Sequence, residues 1–297
     1  MVFKYIEPST LLKLNNIYIR AKYVVDGFIS GIHCSPYYGH SLDFVQHREY
    51  SPGDELKHID WKIYGRTDKY FIKQYQEETN LRAYILLDIS KSMIYKSEID
   101  SIDKLTYGIH LSAILAYMLL HQDDSVGLVT FDNEIKKVVP SKSQLNHFNN
   151  IVEVLESLQH GNDTNISNIA YSFSKYLKRR GLIILISDLF DNPTELLKTM
   201  KILRYKHHDV IVFQIITRTE KEFLFEGTTI FEDIEDSNTK IKCEPNIIKQ
   251  EYQKLFERFI NEYKIGFRQS EIDYCLLTTD TPFEIGLGTF LNIRNKQ

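Results

Sequence analysis

From about residue 80 onward the chain alternates between two hydrophobic periods, and this alternation restricts its fold more than any other feature. Tyr84-Ile85-Leu86-Leu87 is a short apolar run ending in Asp88, the pattern of a strand buried on both faces. Residues 104–121 then place Leu105, Ile109, Ser112 and Ala116 on one helical stripe. Residues 126–131 read as the next strand, and 135–139 as an antiparallel edge strand reached through Asp132-Asn133-Glu134. Helical spacing returns over 145–158 and again over 166–177, where Lys178, Arg179 and Arg180 are expected to complete the last turn before Gly181 stops it. Residues 182–186 form a strand, Asp191 or Asn192 caps a helix with Pro193 in its first turn, and 210–216 form another strand. A long helix over 247–263, a strand over 273–278 and a helix opened by Thr281-Pro282 complete the series.

Parallel neighbours need crossovers, and helices supply them, so the pattern predicts a doubly wound α/β fold with a mostly parallel sheet covered on both faces over residues 80–297. Residues 1–79 show weak periodicity beyond a helical candidate at 9–19. They are expected to form a loop- and strand-rich extension packed on that core, with Trp61 as its hydrophobic anchor.

Composition narrows the functional classes. With 43% apolar and 26% charged residues among 297, the chain can bury a sizeable core. Its 36 Lys and Arg against 40 acids, with no long basic run, speak against a nucleic-acid partner. The greasiest stretch, 109–120, is interrupted by His110, Ser112 and Tyr117, and the amino terminus lacks the apolar core of a secretory signal, so no membrane span and a cytoplasmic location are expected. Cys34, Cys243 and Cys275 are odd in number and widely spaced, which disfavours a disulfide framework. No G-x-G-x-x-G follows the first strand and no P-loop occurs anywhere.

In an open parallel sheet, ligands gather at the carboxyl ends of the strands. This chain places Asp88-Ile89-Ser90-Lys91-Ser92 after the first core strand, Asp163-Thr164-Asn165 before a helix, and Ser187-Asp188 after another strand. Carboxylates and hydroxyls are hard oxygen ligands that suit Mg2+, with Mn2+ or Ca2+ as alternatives. Asp88, Ser90, Ser92, Thr164 and Asp188 form the expected metal set. Helix capping by the hydroxyls is the plain alternative. The spacing of His33, His40 and His47, and the group Asp54, His58 and Asp60, read as ordinary loop residues.

The five oxygen-bearing residues match the metal-ion-dependent adhesion site of von Willebrand factor A domains, and the α/β part resembles such a domain. Gly31-Ile32-His33-Cys34-Ser35, Gly39-His40-Ser41-Leu42-Asp43-Phe44, Arg48-Glu49-Tyr50-Ser51-Pro52-Gly53-Asp54 and Ile59-Asp60-Trp61-Lys62 resemble the signature of the DUF58 family, as do Arg179-Arg180-Gly181-Leu182, Ile186-Ser187-Asp188-Leu189 and Asp273-Tyr274. The resemblance implies a partner or substrate adaptor of a MoxR-type AAA+ ATPase. It departs from general von Willebrand A domains at Leu189, where glycine is usual. A divalent ion balanced by two carboxylates stays electrophilic and is expected to take an acidic side chain from a protein partner. The enzymatic alternative is a metal-dependent phosphohydrolase using Asp88. Such enzymes need a second acid two residues on, where this chain has Ser90. A structural scaffold holding no metal is the third possibility.

Overall fold

The computed structural model describes residues 7–14, 16–32, 46–50, 61–67, 69–74, 81–158, 161, 165–177, 179–225, 229–232 and 240–294. They fall into two compact units, residues 1–29 with 81–297, and residues 30–80. The expected 1–79 extension is therefore divided, because its first two helices, α1 (Pro8–Leu11) and most of α2 (Ile17–Ile32), belong with the α/β part. In the second unit, β1 (Gln46–Glu49) pairs antiparallel with β2 (Phe71–Gln74), and α3 (Trp61–Thr67) lies between them in sequence. Tyr64 stacks on Tyr70 at 4.5 Å, and Trp61 meets Tyr64 edge-on. Trp61 is 62% exposed.

The first unit is built on a six-stranded sheet of β3 (Arg82–Asp88), β4 (Ser125–Phe131), β5 (Ile135–Lys142), β6 (Leu182–Ser187), β7 (Asp209–Ile216) and β10 (Asp273–Thr278), in the order β10-β7-β6-β3-β4-β5. All neighbours are parallel except β5, which runs antiparallel to β4 at the edge. The doubly wound α/β class expected from the alternation is thus the observed one. A further antiparallel pair, β8 (Thr229–Glu232) and β9 (Lys240–Cys243), precedes the long helix α9 (Pro245–Gln269).

Side chains alternate along each strand, so every strand feeds two cores. On one face Ile85, Leu87, Ile184, Ile186 and Phe213 pack with α1, α2, α4 (Lys104–His121), α5 (His147–Glu156) and α10 (Phe283–Arg294). On the other, Leu86, Ile183, Leu185 and Val212 pack with α6 (Ile166–Tyr176), α7 (Pro193–Tyr205) and α9. Helix α4 is buried almost all round, because α2 and α10 cover the side turned away from the sheet. Arg20 on α2 reaches His110 on α4 at 2.6 Å and fastens the two together. Among the described residues no helix is long and apolar enough to cross a membrane.

The crossover after β3 runs over one face and that after β6 over the other, so the chain diverges between the carboxyl ends of these two neighbouring strands. Such a divergence opens a crevice without any side chain having to be removed.

Candidate metal centre

Asp88 ends β3 in that crevice and is fully buried. Its Oδ1 accepts from the Ser90 N–H at 2.9 Å, which fixes the tight turn after the strand. Its Oδ2 accepts from Ser187 Oγ at 2.7 Å across the β3–β6 boundary. The next residues form a single 3-10 turn, Lys91–Ile94, which brings Ser92 back so that its Oγ lies 3.1 Å from Ser90 Oγ. Burial, and then the charge of Asp188, push the Asp88 carboxyl up to about 7 against the opposing bonds from Ser187 and Ser90.

Asp188 is equally buried but differently compensated. Its Oδ2 accepts from the Lys104 ammonium at 2.9 Å, and its Oδ1 from the Phe190 N–H at 3.3 Å. Lys104 opens α4 with its side chain wholly inside the protein, and it also donates to Glu220 Oε1 at 2.7 Å. Glu220 is held for this by the short helix α8 (Arg218–Glu222). There its Oε2 accepts from the Thr217 backbone and hydroxyl, a capping box that leaves Oε1 for the lysine. The Phe190 ring lies 4.8 Å from the same ammonium. Burial alone would lower the Lys104 pKa, but the carboxylates of Asp188 and Glu220 outweigh it and hold the ammonium above its ordinary value.

The loop after β6 is locked from three sides. Gln214 on β7 donates to the Asp188 carbonyl at 2.8 Å, and its own carbonyl accepts from Tyr274 on β10. Tyr263 of α9 donates to the carbonyls of Leu189 and Asp191. Leu189 takes a left-handed backbone with φ of 60°. Glycine adopts that conformation at least cost, and the leucine is held in it by its fully buried side chain and by its N–H donating to Ser187 Oγ at 3.0 Å.

Of the five expected ligands, Asp88 bonds Ser90 and the Ser90 hydroxyl lies against that of Ser92, while Asp188 stands close enough for its charge to act on Asp88. Thr164 lies outside the described residues. The chain on either side of it is held to the same sheet edge: the Gly161 N–H donates to the Ile89 carbonyl at 2.7 Å, and Ser167 in the first turn of α6 bonds Asp191. A Cβ on Gly161 would come within 2.4 Å of Asp132 Oδ2, so only glycine allows this approach. His33, His40, Asp54, His58 and Asp60 also lie outside the described residues. Among those described, no three His, Cys, Asp or Glu side chains form a metal-ligand cluster.

A hard divalent cation fits this donor set on one side and less well on the other. Asp88, Ser90 and Ser92 offer only oxygen, and a neighbouring positive charge would relieve the repulsion that raises Asp88. Asp188 already has a cation in Lys104, which suits it to an outer position, through water, rather than direct ligation. Ser187, Lys104 and Glu220 are the members of the site that spacing did not assign. The one available sign was a lysine in the first turn of an otherwise apolar helix, at the end where the helix dipole disfavours a cation.

The model of the family described as "Protein of unknown function DUF58" matches residues 46–259. The uncharacterized protein Rv1480 of Mycobacterium tuberculosis is 18% identical over 232 residues, covering 77% of this chain and 72% of its own length, and the uncharacterized protein Mb1516 of Mycobacterium bovis matches equally. Among solved structures, the conserved hypothetical protein BatB from Bacteroides thetaiotaomicron superposes with a TM-score of 0.49 at 18% identity, over 72% of this chain and 99% of that one. An aerotolerance-related membrane protein from Bacteroides fragilis gives 0.49 at 17%, over 73% and 100%. A family match across residues 46–259 takes in well over half of the 297 residues, and the chain therefore belongs to the DUF58 family.

Proposed function

We propose that this chain is a non-enzymatic, von Willebrand A-like binding module that holds Mg2+, or Mn2+ or Ca2+ in its place, and uses it to capture an acidic side chain of a protein partner. Asp88, Ser90 and Ser92 would hold the ion directly, with Thr164 from the neighbouring loop and Asp188 in the outer position. When bound, the ion supplies an electrophilic centre for a visiting carboxylate. The protein's own part is to aim the donors: Ser187 and the Ser90 N–H orient Asp88, while Lys104 holds Asp188 in place. The observation that carries this reading is that Asp88 is bonded to Ser90, whose hydroxyl lies 3.1 Å from that of Ser92, beside Asp188 at the divergence point of the sheet. Ser90, where a phosphohydrolase would need an acid, favours binding over turnover.

The partner expected from the family resemblance is a MoxR-type AAA+ ATPase, with this chain as its adaptor in the cytoplasm. Pull-down of a MoxR-type ATPase tests the reading. Capture should occur in Mg2+, vanish in EDTA, return when Mg2+ is restored, and fail with Asp88→Ala. Capture indifferent to both EDTA and the substitution would contradict it, as would metal-dependent phosphate release that Asp88→Ala abolishes.

A further inference from the structure

The amino ends of β3 and β6, at the opposite edge of the sheet from Asp88, border a cavity of about 460 Å3. That is ample for a small organic ligand. Its wall is cationic. Arg82 opens β3, Lys175 stands in the last turn of α6 and Arg179 lies in the connection to β6, while His208, just before β7, adds a polar ring whose pKa burial lowers. Among the described residues no carboxylate lines the cavity, and no ion pair engages Arg82, Lys175 or Arg179. The acid next to His208, Asp209, is taken by Arg204 at 2.6 Å.

Two plain explanations for these cations fall short. Arg179 was expected to neutralise the end of a helix, but α6 stops at Tyr176 and only Lys175 remains in its last turn. The connection instead folds back against β3 at Gly181, where a Cβ would meet the Arg82 carbonyl oxygen at 2.4 Å. This brings the segment carrying Arg179 alongside Arg82. The second explanation, an ordinary solvated surface, does not account for His208, which is 3% exposed and whose Nδ1 is buried without a hydrogen-bond partner. A buried polar atom left unpaired is uncommon enough to need a reason. The cavity also has aromatic walls, Tyr84 and Tyr176, set edge to face at 6.4 Å.

We propose that this cavity is a binding site for a small phosphate-bearing ligand with a planar ring, of the mononucleotide class. Arg82 and Arg179 form charge-assisted hydrogen bonds with the phosphate, with Lys175 adding positive charge. His208 Nδ1 gains the partner it lacks, and the tyrosines receive the ring. The site shares no residue with the candidate metal centre and does not rest on it.

Titration calorimetry in EDTA, which removes any contribution from divalent ions, tests this with AMP, inorganic phosphate and adenosine as probes. AMP should bind, and adenosine should bind at least about tenfold more weakly. Arg82→Gln and Arg179→Gln, both at exposed positions, should each weaken AMP by about tenfold while leaving the circular dichroism unchanged. Tyr176→Ala should weaken AMP and leave inorganic phosphate unaffected, and Asp88→Ala should bind AMP like the unsubstituted chain. No heat from millimolar AMP, adenosine binding as tightly as AMP, or normal AMP affinity in a folded Arg82→Gln, Arg179→Gln double variant would each overturn the proposal.

Discussion

Asp88 is a carboxyl group whose folded environment favours the proton, and its consequences differ with and without a cation. Its folded value of about 7 lies above the ordinary 3.8, so between those limits the folded chain holds a proton that the unfolded chain has released. That contribution to stability is complete below the lower limit and is lost as pH rises towards 7, so the metal-free protein should lose stability from Asp88 over that window and level off above it. Metal binding runs the other way, because Mg2+ competes with the proton. Its affinity should fall by about tenfold for each pH unit below about 7 and be flat above. Calorimetric titrations at pH 6 and pH 8 check this, and equal affinities at the two would contradict it. Lys104 is the other decisive residue. Replacing it with methionine strands Asp188 and Glu220 without their shared cation, and should cost about 3–5 kcal/mol in urea unfolding. A loss below about 1 kcal/mol would mean that the buried pair contributes little. Asp88, Ser90 and Ser92 could be read as a site because they lie within five consecutive residues after a clear strand. Lys104 and Glu220 could not, since Lys104 meets Asp188 across 84 residues of sequence and Glu220 across 116, and this pairing exists only once the sheet has formed.

At the scale of the elements, the divergence between β3 and β6 does what no single residue could, by setting the ends of two buried strands side by side where their chains part. The loop after β6 keeps its shape through Leu189, where two effects oppose each other. The left-handed backbone costs about 1–2 kcal/mol, while losing a fully buried leucine side chain costs about 2–5 kcal/mol. Leu189→Gly should therefore be destabilising on balance, by about 1–3 kcal/mol in urea unfolding, despite giving the backbone the residue it prefers. A stabilised variant would show that strain outweighs packing at this turn. The strands and helices from β3 to α7 were legible because each buried run and each apolar stripe carries its own period. Helix α4 begins and ends where its stripe does, and Asn192 caps α7 as its position before Pro193 suggested. The failures have physical causes as well. The β8–β9 pair consists of four-residue strands, too short to show alternation against background. The expected helix at 9–19 breaks into α1 and α2, and α2 continues to Ile32 through Gly27, whose missing side chain faces open space and so interrupts no packing.

At the scale of the whole molecule, the α/β unit has two chemically opposite ends. Buried carboxylates and hydroxyls gather where the strands finish, and arginine and lysine gather where they start. The small net charge of −4 conceals this polarity, which depends on strand direction: a parallel sheet puts all its chain exits on one side and its entries on the other. The carboxylate end is the one on which the account chiefly depends. Titration of Mg2+ at pH 8 into the unsubstituted chain and into Asp88→Ala tests it most directly. The account predicts a saturable heat with one ion per chain that disappears in the variant while its circular dichroism stays unchanged. No heat from the unsubstituted chain, or an undiminished heat from the variant, would contradict it.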